Sequence, residues 1–161
     1  MAKKNSIRNV YNIIYRIIST AVIALAAILL LLYICGIRLY HVKSGSMGEL
    51  LPVGSVCFVS TYSKYENIST GDVISFRVGE DMRVTHRAIR VTAEGIVTQG
   101  DMNETPDPDP VTKENYIGKT VFALPYAGKA LGFVHTLKGK IAIGLSIVIL
   151  LIRGLCSAWE L

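Results

Sequence analysis

Charged and apolar positions divide the chain into three stretches. A basic start with Lys3, Lys4, Arg8 and Arg16 gives way to "IISTAVIALAAILLLLYICGI", 21 residues from Ile17 to Ile37 without a charge. At a rise of about 1.5 Å per residue, such a helix is about as long as the hydrocarbon layer of a bilayer is thick. Only Arg38 and Lys43 follow closely. The positive-inside bias therefore predicts a cytoplasmic N-terminus over residues 1–16, a membrane anchor over 17–37 and a chain lying outside the cytoplasm from residue 38 onward. An export signal that is cleaved off has a similar layout, but its apolar core runs about 7–15 residues. No small-x-small cleavage pattern ends this longer run, so the expectation is an uncleaved anchor.

The other end is shorter. "IAIGLSIVILLI", residues 141–152, has 12 apolar positions, a length that suits a core helix as well as a span. Continued through Arg153, whose stem can snorkel, to Trp159 at a boundary, it reads as a second span within 138–161 that returns the C-terminus to the cytoplasm.

Between the ends the period changes to that of strands. "SVCFVST" (55–61), "DVISFRV" (72–78), "RVTHRAIRV" (83–91), "GIVTQG" (95–100) and "KTVFALP" (119–125) are short and rich in β-branched residues. Turn signals such as "TGD", "GED" and "AEG" separate them. The pattern predicts a mostly β fold, a small antiparallel domain over 38–137. No period of about 20–50 residues marks a repeat array. One segment breaks the pattern: "GDMNETPDPDPV", residues 100–111, is acidic and holds Pro106, Pro108 and Pro110. Proline fixes φ and confines the residue before it to extended geometry, so Asp107 and Asp109 sit in a stiff loop.

Composition agrees with a domain carried on membrane helices: 51% of the residues are hydrophobic and the mean hydropathy is +0.43. The net charge of +5 does not mark a nucleic-acid binder, because much of the excess flanks the apolar ends and no RNA-binding aromatic motif accompanies it. Topology and attraction to anionic lipid account for it. Cys35 and Cys156 lie in or beside the apolar ends and Cys57 lies in a strand run, a spacing that suggests neither a disulfide framework nor a zinc site.

A serine hydroxyl becomes a nucleophile only when a base takes its proton and a third group orients that base. The middle stretch offers Ser46 beside a glycine, His86 in a strand run, and Asp101 and Asp107 in the stiff loop. Each has an ordinary reading: serine and glycine mark turns, a strand histidine packs, and Asp-Pro is loop chemistry. Spacing alone does not choose between these readings.

The motifs do more in combination. "SGSM" (44–47), "GDVISFR" (71–77), "THRAIR" (85–90), "GDMN" (100–103) and "YIGKTVFALPYAG" (116–128) resemble, in that order, the conserved boxes of signal peptidase I. The histidine of "THR" resembles the endoplasmic-reticulum type, where the usual bacterial enzyme has lysine. The resemblance covers about residues 40–130 and implies a membrane-bound serine endopeptidase that removes signal peptides from exported preproteins, cutting after small residues at −1 and −3. It implies Ser46 as nucleophile, His86 as general base and Asp107 in the orienting role with Asp101 in support; the sequence does not divide the roles of the two aspartates, and Asp109 is a weaker contender. It also implies an oxyanion hole made by Ser44 and the Ser46 N–H. No metal or organic cofactor is expected. The expected partners are signal peptides, the lipid bilayer and the protein translocation machinery, and the expected location is the plasma membrane of a prokaryote in preference to the endoplasmic reticulum.

Two positions depart from the family pattern. Met47-Gly48-Glu49 stands where an acidic residue and proline usually follow the Ser-Met pair, with proline delayed to Pro52, and Met102 stands where asparagine is common. Met47 is expected to be an apolar contact. Arg87, Gly100 and Asn103 are expected to be structural, and His41 and His135 show no partner in the sequence. A Ser/Lys protease would need a lysine that "THRAIR" lacks. A non-enzymatic anchored β module, an assembly scaffold or an inactive relative, is the alternative from another class.

Overall fold

The structure is a computed structural model that describes residues 2–128, 132–133, 136–141 and 143–148. Two compact units divide the chain: one contains α1 (Ala2–Ile34) and the segment beginning at Ile141, and the other runs Cys35–Lys140.

Within α1, Asn12–Ile34 has a mean hydropathy of 2.8 and is, among the described residues, the one helix long and apolar enough to cross a membrane. Its 23 residues extend roughly 34 Å at helical rise. Ile17, Ile23 and Leu30 are each more than half exposed, and a helix that is apolar on all sides without being buried matches a lipid environment. The helix stops three residues before the end of the expected span. Gly36 has φ 75, the left-handed geometry that terminates helices, and its carbonyl accepts from both the N–H (2.9 Å) and the Oγ1 (2.8 Å) of Thr61. Ile37 therefore begins a strand. The second span expected within 138–161 falls largely outside the described residues, as do His135, Arg153, Cys156 and Trp159.

The other unit is a six-stranded sheet: β1 (Ile37–His41), β2 (Val56–Ser60), β3 (Val73–Val78), β4 (Met82–Val91), β5 (Ile96–Gln99) and β6 (Tyr116–Leu124). Their order is β1-β2-β6-β3-β4-β5, and every neighbouring pair is antiparallel. The last five occupy the runs read from the sequence, whereas β1 lies where the sequence predicts the end of the anchor and the stretch after it.

Val73 packs against one apolar cluster and Ile74 belongs to another. Successive strand residues point to opposite faces, so β3 carries a core on each side. One cluster holds Ile68, Ile74, Phe76, Ala88, Ile96 and Val111; the other holds Met47, Leu51, Cys57 and Val59. Each fully buried Leu, Ile, Val or Phe contributes about 1.5–3 kcal/mol. Register shifts at Phe58/Val59, Ser75/Phe76 and Ala88/Arg90 add twist, and the sheet curls. β1 and β4 are separated by three strands in the order, yet both line one cleft of about 650 Å³, and the Arg83 guanidinium lies 5.6 Å from the Tyr40 ring centre.

Candidate active site

Ser46 lies in the loop that leaves β1. Met47 and Leu51, each 2% exposed, plug into the core beneath it, and the Gly48 N–H closes a turn on the Gly45 carbonyl at 3.0 Å. Two apolar plugs thus hold a polar loop, and Ser44 and Ser46 face the cleft. Met47 is a core residue, as its chemistry suggests.

His86 sits on β4 opposite Ile74 and is 7% exposed. The Phe76 and His86 rings meet edge to face, 6.3 Å between centres, which restricts the imidazole on its apolar side. Its Nε2 is 3.0 Å from Ser46 Oγ, and its Nδ1 is 2.7 Å from Asp107 Oδ2 and 3.0 Å from Oδ1. With Nδ1–H donating to the carboxylate, Nε2 is left as the acceptor facing the serine hydroxyl.

Asp107 reaches this position because its loop folds back on the strand it left. Val111 and Ile96 exchange backbone hydrogen bonds of 2.8 and 2.9 Å, and the Asp107 N–H donates to the Thr98 carbonyl at 2.8 Å. The fully buried Thr98 also donates its hydroxyl to Asp107 Oδ2 at 2.6 Å. Thr98 thus grips both the backbone and the carboxylate of Asp107. Sequence reasoning missed it, because a threonine in a strand carries no signal of its own.

The remaining candidates separate. Ser44 Oγ is 3.3 Å from Ser46 Oγ, close enough to share a reacting group. Asp101 does not join the line from Ser46 to Asp107: its carboxylate takes two bonds, 2.8 and 2.7 Å, from Arg87, whose Nη1 also donates to the Gly71 carbonyl at 2.9 Å. The bonds to the Asp101 carboxylate and its charge raise the Arg87 pKa against the opposing effect of burial. Asp109 is exposed. Cys57 lines the same cleft, but burial pushes its thiol up to about 11, which keeps it protonated near neutral pH and unsuited to attack. The arrangement has the parts for acyl transfer: a hydroxyl, a base that can take its proton, an acid that orients the base, and a second hydroxyl beside the first.

Comparison with known proteins identifies a family. A family profile described as "Signal peptidase, peptidase S26" matches residues 14–125. "Signal peptidase I W" of Bacillus subtilis (strain 168) is 33% identical over 126 residues, 71% of this chain and 66% of that protein, just under two thirds of its length. "Signal peptidase complex catalytic subunit SEC11C" of Homo sapiens, like its counterpart from Pongo abelii, is 27% identical over 144 residues, 78% of this chain and 73% of theirs. The profile spans both the sheet and the apolar end of α1, and on that extent the chain belongs to the signal peptidase family, peptidase S26.

Proposed function

We propose that this signal peptidase is held in a membrane by α1 and cuts N-terminal signal peptides from exported preproteins, with Ser46 as nucleophile, His86 as general base and Asp107 as the acid that orients it. The reading rests on one observation: the continuous line from Ser46 Oγ through the His86 ring to Asp107, 3.0 Å on one side and 2.7 Å on the other.

As Ser46 Oγ attacks the scissile carbonyl, its proton passes to His86 Nε2, and Asp107 stabilises the imidazolium through Nδ1–H. The Ser44 hydroxyl and the Ser46 N–H donate to the oxygen that becomes negative. Such donors are worth about 2.7–4 kcal/mol each in a well-studied serine protease. The C–N bond then breaks, the new amine takes the proton from His86, and the mature protein leaves the ester on Ser46. Water, deprotonated by His86, releases the signal peptide. Asp101 touches none of these atoms and acts in support through Arg87.

The cleft suits an extended peptide. β1 is an edge strand, and β5 pairs with residues 87–91 of β4, so, among the described residues, 82–86 have β3 as their one neighbouring strand. A peptide lying between them runs beside the backbone of two strands and can add to either. By family likeness, small side chains at −1 and −3 precede the cut.

The basic N-terminus places residues 1–16 in the cytoplasm and the sheet outside it. The segment 138–161, with its apolar run 141–152, is read as a second span, and the membrane as the plasma membrane of a prokaryote. The histidine-type site groups the chain with the endoplasmic-reticulum enzymes in mechanism, and a translocation complex that delivers preproteins is the natural partner. Holding enzyme and substrate in one membrane raises their effective concentration.

The test is processing of a purified preprotein by the full chain in detergent. The parent cuts, and Ser46→Ala, His86→Ala and Asp107→Ala do not. Cutting that survives Ser46→Ala, or a parent that never cuts, overturns the reading.

A further inference from the structure

Met102 lies outside the reacting atoms and is 70% exposed, yet it meets the nucleophile loop twice. Its N–H donates to the Ser46 carbonyl at 2.8 Å. Its side chain lies over Gly48, where an added Cβ would stand 2.9 Å from Met102 Cγ and 3.0 Å from the sulfur.

The surroundings make both contacts firm. Gly100 brings the same loop so close that a Cβ there would stand 2.7 Å from the Ser46 carbonyl oxygen. Asp101, between them, is tied to Arg87 beside His86 on β4. On the other side, Gly48 has φ 55, a conformation that side chains disfavour, and ends the turn that carries Ser46 and Met47. The absent side chain at position 48 and the long, adaptable one at 102 are complementary in volume.

We infer that Met102 is a positioning residue for Ser46: its amide fixes the carbonyl while its side chain presses on the following turn, keeping Oγ aligned with His86 Nε2. The inference rests on Ser46 being the nucleophile.

Preprotein cleavage kinetics and thermal unfolding of the full chain test it together. Met102→Ala keeps the amide and removes the side chain. kcat falls about tenfold, as displacement of a reacting group would cause, with KM within about twofold and Tm unchanged, because the side chain is exposed. Met102→Leu restores most of kcat. Gly48→Asn tolerates the left-handed backbone but displaces the methionine. It lowers kcat similarly, and Gly48→Asn with Met102→Ala is no worse than either alone, because both remove one contact. Full kcat in Met102→Ala, a loss confined to KM, a loss that follows Tm, or additive effects in the double variant overturns the inference. Ser46→Ala in the same assay separates the two readings: turnover surviving there removes the nucleophile and this inference with it, whereas turnover abolished there leaves Met102 to be judged by its own variants.

Discussion

Ser46 hangs on a loop whose plugs, Met47 and Leu51, belong to the core with Cys57 and Val59, whereas His86 and Asp107 are set by the core of Ile74, Phe76, Ala88, Ile96 and Val111. The two halves are built differently. On the His86 side, strand register fixes the base, a ring edge braces it, and Thr98 grips the acid at two points. On the Ser46 side, a glycine-flanked turn carries the serine. The difference teaches that, on the proposed reading, the base and acid are held by a strand and its returning loop, whereas the nucleophile is held by a turn plugged into the other core.

The strongest break in the comparison is to remove one member from each half. Ser46→Ala and His86→Ala each lower kcat by roughly 10⁴–10⁶, and the double variant is no slower than either single one, since residues that act as a unit are not additive. Single-turnover cleavage of a preprotein measures this. Within the His86 half, Asp107→Asn keeps the shape but upsets the histidine tautomer, and kcat falls about 10⁴-fold. Thr98→Val, nearly the same in volume, removes a donor to a carboxylate. Hydrogen bonds to charged groups contribute about 1.5–3 kcal/mol, and the expected result is about a tenfold loss of kcat with KM little changed.

The smallest effect lies at the seam where β6 meets β3. There Lys119 Nζ is 2.6 Å from Asp72 Oδ1. Burial raises the Asp72 pKa, but the bonds from Lys119 and the Ser69 N–H outweigh it, and the net shift is downward. A lowered folded-state pKa gives stability that is present above the ordinary aspartate range and is lost as pH falls through the lowered value. The pair is partly exposed and contributes at most about 1 kcal/mol. The Tm gap between the parent and Asp72→Asn therefore stays constant from about pH 7 to 5 and closes in stronger acid.

Much of the sheet was legible because five strands alternate β-branched residues between clear turns. β1 was not: "IRLYH" continues the apolar run of the anchor, and only the left-handed Gly36 separates helix from strand. Ser46, His86 and Asp107 could be picked out as types with a shared chemistry, but not as neighbours by spacing, since they come from a loop, a strand and a second loop. Asp101 and Asp107 were inseparable on paper; the register that sends one to Arg87 and the other to His86 exists only once β4 and β5 pair. Thr98 and Met102 were illegible for a related reason. Their roles depend on a return of the chain that no local pattern encodes.

The prolines on either side of Asp107 also act before any of this forms. By narrowing the conformations open to residues 106–108 in the denatured ensemble, Pro106 and Pro108 lessen the entropy that fixing this carboxylate removes. The segment that aims the acid thus begins folding with fewer states to discard, and replacing either proline by alanine would weaken the folded state even if every contact in it stayed the same.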